Sequence, residues 1–166
     1  MFRSFADWLA GTPPSQLFQS QLWVVPTSQA IHIVCVSVVF TSALMINLRL
    51  LGAGASGRPV SQLIQSLVPW MWRALAVLLL TGTVQIIAEP VRQFVTPAFW
   101  AKMLMIIIAV AMTAVFARRV RADAARWDAA GTRPASARVF AVASSMLWIA
   151  IIVCGRFIAY TSALYT

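Results

Sequence analysis

Residues 98–117 read AFWAKMLMIIIAVAMTAVFA. Apart from Lys102 the stretch is dominated by apolar side chains, and it has the roughly 20 residues an α-helix needs to cross the hydrocarbon core of a bilayer. Strict apolar–polar alternation is lacking, so it does not read as a barrel strand. Lipid offers no partners to backbone N–H and C=O groups, and a continuous apolar run satisfies them internally only as a helix.

Three more runs of spanning length lie to either side. The first covers roughly 27–49 and contains IHIVCVSVVFTSALMINL; the second covers roughly 68–88, VPWMWRALAVLLLTGTVQIIA; the fourth covers roughly 139–161, with room to run on to Leu164. Gly52, Gly54, Gly57 and Pro59 follow the first run, Pro90 closes the second, Pro97 opens the third, and Gly131 with Pro134 breaks the loop before the fourth. The whole chain has 166 residues, 61% hydrophobic and only 10% charged, with a mean hydropathy of +0.83. A soluble domain carries about 25% charged residues. The expected fold class is therefore all-α membrane, a four-transmembrane-helix bundle over residues 26–166.

Residues 1–25 differ. Phe5, Trp8 and Leu9 form a short apolar stripe, and SQLFQSQLWVV (15–25) mixes apolar with uncharged polar side chains. Trp8 and Trp23 suit a membrane–water boundary, so the segment reads as one or two short interfacial amphipathic helices. Arg3, Asp7, Pro13 and Pro14 do not make a cleavable leader, and the segment is expected to be retained.

The net charge of +9 does not point to nucleic acid, because the cations flank apolar blocks and no basic helix with interleaved aromatics occurs. Their placement instead orients the chain. Arg49, Arg58, Arg73, Arg118, Arg119, Arg121, Arg126, Arg133 and Arg138 fall on or nearest one side; Arg3, Arg92, Lys102 and Arg156 fall on the other. By the positive-inside rule the arginine-rich loop 118–138 is cytoplasmic and both termini are periplasmic in a bacterial inner membrane. Arg118, Arg119 and Arg121 are placed to touch anionic lipid. Cys35 and Cys154 sit within apolar blocks and read as small hydrophobes.

An ionisable group within a span is costly and marks a functional-site candidate. His32 in span one, Lys102 in span three, Arg156 in span four and Glu89 at the end of span two all fall near the outer level. Thr81, Gln85 and Glu89 recur every four residues, on one helix face. One acid against Lys102, Arg156 and nearby Arg92 favours an anionic or electron-rich guest: porphyrin propionates, a quinone carbonyl or a lipid phosphate. Plainer roles stand beside these. Lys102 and Arg156 can snorkel to the interface, His32 can be a structural hydrogen-bonding group, and Glu89 before Pro90 can be an exposed helix end. With one histidine, a bis-histidine haem pair within a monomer is excluded, and no Walker loop, dinucleotide glycine pattern, CxxC, zinc signature or nucleophile elbow occurs.

WLAGTP (8–13), LWVVPTSQAIHIV (22–34), NLRLLG (47–52), LLLTGTVQIIAEPVRQF (78–94), FWAKMLMIIIA (99–109) and GRFIAY (155–160) resemble, in that order, a family of short uncharacterised bacterial inner-membrane proteins, a domain of unknown function. The resemblance implies a fold and a location, and no activity. The histidine early in span one and the lysine opening span three also resemble the plan of HemJ-type protoporphyrinogen oxidases and copper-resistance D-type membrane proteins. In the HemJ type the corresponding histidine and lysine are functional and haem b is bound. Only His32 and Lys102 carry across; span two and the C-terminal part do not match that pattern.

The expected function is that of a haem b- or quinone-associated, redox-capable membrane protein, with His32 as axial ligand or hydrogen-bond donor. Lys102 and Arg156 would anchor propionates or a carbonyl, oriented by Glu89 and Gln85. The only metal role is that of His32 toward haem. The alternatives are a non-catalytic accessory or assembly subunit, meeting a partner membrane subunit or a second copy, and a small-ion or metal transporter. The last is disfavoured by the lack of acids deep in the spans. Whether the chain is an enzyme is left open.

Overall fold

The computed structural model describes residues 2–53, 58–128 and 135–161. Gly54, Gly57, Gly131, Arg133, Pro134 and Leu164, singled out above, lie outside them. Eight helices follow in order: α1 (Phe2–Ala10), α2 (Pro13–Ser20), α3 (Val24–Leu51), α4 (Val60–Ala88), α5 (Pro90–Phe94), α6 (Pro97–Ala122), α7 (Ala124–Asp128) and α8 (Ala135–Thr161), with no strand among the described residues. Helices α3, α4, α6 and α8 are each long and apolar enough to span a bilayer. The protein is a multi-pass membrane protein built as an up-and-down four-helix bundle.

Local chemistry sets the ends. Helix α3 stops at Gly52, whose φ of 89° only glycine adopts freely. There the Gly52 N–H bonds Arg49 O and the Ala53 N–H bonds Leu48 O, a Schellman closure. Pro90 and Pro97 sit at the first position of α5 and α6, where a missing N–H costs nothing. The start of α4 is capped from far along the chain: Asp128 of α7 accepts from both the backbone N–H and the hydroxyl of Ser61. A carboxylate there satisfies an orphan donor and meets the positive end of the helix dipole.

The sequence places the start of span two near Val68, but α4 begins at Val60 and runs through Pro69. Pro69 lies on the exposed side, so the bond it cannot make faces outward. The buried side stays regular, with Val60, Ile64, Val68 and Met71 at three- and four-residue spacing. These join Val39, Ala43, Ile46 and Leu50 of α3 in one apolar seam, which explains why helix persists ahead of the strongly apolar run. On the other side of α3, Asn47 is 2% exposed and donates to the hydroxyls of Ser144 (3.2 Å) and Ser145 (3.0 Å) on α8. Small residues Ala137, Ala141 and Ser144 let α8 approach closely enough for this. Phe116 stacks on Phe140 at 4.2 Å and meets Trp127 edge-on.

The core is therefore lopsided. Its main cluster occupies 39–50 of α3, 60–74 of α4, 109–120 of α6 and 137–151 of α8, the middle and arginine-rich half of the bundle. At the other end the spans are held by a cap. Phe2 and Phe5 of α1 pack on Phe94 of α5 and Trp100 of α6, and the fully buried Ser15 of α2 donates to Ile87 O of α4 at 2.7 Å.

Candidate functional site

The polar groups gather in the loosely packed half, beneath the cap. His32 on α3 and Thr81 on α4 join the two helices through a 2.8 Å contact between Nδ1 and Oγ1. Thr81 also donates its hydroxyl hydrogen to Val77 O at 2.9 Å, one turn back. A hydroxyl has one hydrogen, so with that one given to the carbonyl, Thr81 accepts from His32. This assignment puts the proton on Nδ1 and leaves the lone pair on Nε2. It is also the second-sphere arrangement by which a carbonyl or hydroxyl oxygen orients a ligating imidazole.

Gly82, next to Thr81, makes room for the ring: a Cβ there would lie 3.7 Å from His32 Cε1, ordinary contact. Gly82→Ala is accordingly expected to keep the His32–Thr81 bond and stabilise α4 by up to about 1 kcal/mol through helix propensity. Gly82→Leu is expected to push the imidazole off Thr81. Thermal unfolding midpoints together with the ¹⁵N shifts of the one histidine ring read both outcomes.

Lys102, half-buried on α6, lies within electrostatic reach of His32 on α3 and Cys154 on α8. No carboxylate pairs with it among the described residues; the ion pair there is Arg92–Glu89 at 2.6 Å. Gln85 stands one turn beyond Thr81 on α4, and its Nε2 is buried without a hydrogen-bond partner. Arg92 Nε and Trp148 Nε1 are orphaned in the same way. Donors outnumber acceptors, which is the balance a carbonyl or carboxylate oxygen would restore.

The other two sequence candidates stand apart. Glu89 is engaged by Arg92 across the α4–α5 junction. Arg156 is exposed, donates to the Tyr160 hydroxyl at 3.2 Å and lies over the Tyr160 ring at 5.5 Å, all on α8 itself. The structure thus brings His32, Thr81 and Lys102 to one region with Gln85 one turn away, while Arg156 turns outward. Sequence reasoning passed over Gly82. It also passed over Asn47, whose amide within an apolar run was the available signal.

Two narrow crevices occur elsewhere. One is lined by Asn47, Thr113, Phe116 and Ser144, the other by Met71, Trp72, Val110 and Trp148. Each holds about 10 Å³, room for about one water. Among the described residues no three His, Cys, Asp or Glu side chains are grouped to hold a bare metal ion.

No curated protein and no solved structure matches the chain. A family model does, over residues 22–161, from just after α2 to the end of α8, and it contains every residue of the site. The chain belongs to that family, a family of unknown function (DUF6644).

Proposed function

We propose that this protein binds a membrane-soluble molecule whose head group carries a carbonyl or carboxylate oxygen, a quinone being the class that best suits the site. The observation that carries this reading is the donor surplus: the Lys102 ammonium without an acid among the described residues and the buried, unpartnered Gln85 Nε2, beside an imidazole whose Nε2 is a free base. Lys102 and Gln85 would hold the oxygen. His32, fixed by Thr81, would accept or return a proton on the same side. The site is framed by spanning helices, so its ligand comes from lipid.

Haem b is the second reading, favoured by the Nδ1–H···Oγ1 bond that leaves Nε2 available to hold the iron. His32 would ligate iron and Lys102 would meet a propionate; the group itself would supply one-electron chemistry. In either case the arginine distribution supports an inner-membrane location with loop 118–138 in the cytoplasm, both termini in the periplasm and anionic lipid at Arg118, Arg119 and Arg121.

The test uses the purified full chain in lipid nanodiscs titrated with a short-chain ubiquinone, read by quenching of tryptophan fluorescence. Saturable quenching that is lost in Lys102→Met and kept in Arg156→Gln is expected. Unsaturable quenching in the native chain, or equal binding by both variants, sinks the quinone reading. A Soret band on adding haem, abolished in His32→Ala, would move the assignment to haem.

A further inference from the structure

Arg73 is out of place for an intramembrane charge. The His32–Thr81 bond at one end and the bond from Arg49 Nε to Arg58 O at the other fix α3 and α4 antiparallel. In that register Arg73, eight residues before Thr81, is level with Phe40, eight residues after His32 and nine before Arg49. From the helix ends the answer is the same: Arg73 stands thirteen positions after Val60 and fifteen before Ala88, roughly 20 Å from either end. It lies at mid-depth. Ionisable residues at that depth almost always face the bundle interior. Arg73 is exposed, and its contact among the described residues is the ring of Trp70, itself exposed, 4.9 Å from the guanidinium carbon. Pro69, one turn before Arg73, lies on the same exposed strip and gives no N–H to the Gln65 carbonyl, which belongs to the residue two turns before the cation.

We propose that this face of α4, centred on Arg73 with Trp70 and Pro69, docks a span of another membrane protein that carries an Asp or Glu side chain at mid-bilayer. Charge complementarity selects the occupant. A lipid phosphate is roughly 15 Å away, half the ~30 Å hydrocarbon thickness, farther than an arginine side chain extends. A second copy of this chain offers no carboxylate at that depth, since its four acids are Asp7, Glu89, Asp123 and Asp128, all at span ends or beyond them. An acid-bearing span satisfies the guanidinium in low dielectric, and its partner groups can use the Gln65 carbonyl. Arg73 stands eight residues, about two turns, from Thr81 along α4, and the interface does not depend on the ligand site.

The test reconstitutes the full chain, labelled at its N-terminus, in phosphatidylcholine vesicles with a labelled Leu-Ala peptide of about 20 residues bearing one central Glu. Energy transfer to this peptide is compared with that to peptides bearing Gln or Leu at the centre, and with that between copies of the chain. At least tenfold stronger association with the Glu peptide is expected, lost in Arg73→Gln and partly kept in Arg73→Lys. Equal association with all three peptides, or undiminished binding by Arg73→Gln, overturns the proposal. Transfer between copies that matches the Glu peptide and disappears in Arg73→Gln overturns it too, and assigns the face to self-association. The peptide series is read on the native chain, so it remains decisive even if a variant folds poorly.

Discussion

Replacing Arg73 with leucine will make α4 enter a bilayer more favourably by about 3–4 kcal/mol. The figure is the sum of what an arginine costs at the centre of a span, about 2.5–3.5 kcal/mol, and the few tenths a leucine gains there. It corresponds to a shift of roughly 100-fold or more in the insertion equilibrium. Residues 60–88, placed in a host protein with glycosylation acceptors on either side, read this directly as the ratio of inserted to translocated segment. A change below about 1 kcal/mol would mean that the guanidinium escapes to the headgroups. The mid-depth assignment drawn from the α3–α4 register would then be wrong, and with it the reason for seeking an acidic partner.

Lys102→Met should move two measurements in opposite directions. The substitution exchanges an ammonium that has no carboxylate partner for an apolar side chain of similar length, in the half of the bundle with the fewest buried residues. The unliganded protein should gain about 0.5–2 kcal/mol, the range typical when a functional site is traded for stability. Ligand affinity should fall by roughly 10- to 100-fold, the equivalent of one hydrogen bond to a charged group, about 1.5–3 kcal/mol. Unfolding midpoints in detergent with and without short-chain ubiquinone give both values from one preparation. Loss of stability together with loss of affinity would make Lys102 a packing residue and withdraw it from the site.

The four spans were legible because the property that decides them, uninterrupted apolar length, is local. The true start of α4 was not. Residues 60–67 are too polar to read as part of a span, but Val60, Leu63, Ile64 and Leu67 have amphipathic-helix spacing, and Val60 and Ile64 pack into the seam with α3. The same eight residues put Arg73 near the middle of α4, where the sequence had set it early in a shorter run. Depth was also easier to read than direction. His32, Lys102 and Arg156 could be set at one level by counting residues, but which way each side chain turns depends on how the packed helices rotate. That rotation puts His32 on Thr81 and sends Arg156 to Tyr160 on its own helix. Asn47 showed as an amide within an apolar run, but its partners Ser144 and Ser145 lie 97 and 98 residues along the chain, beyond any local reading.

The uneven core makes the bundle resemble a tuning fork, with a stiff root where α3, α4, α6 and α8 interlock and slender prongs toward the aromatic cap. Toward the tip the spans share few buried side chains, while the root keeps the topology. A guest of the kind proposed above would reach His32 sideways from the bilayer, without passing through water.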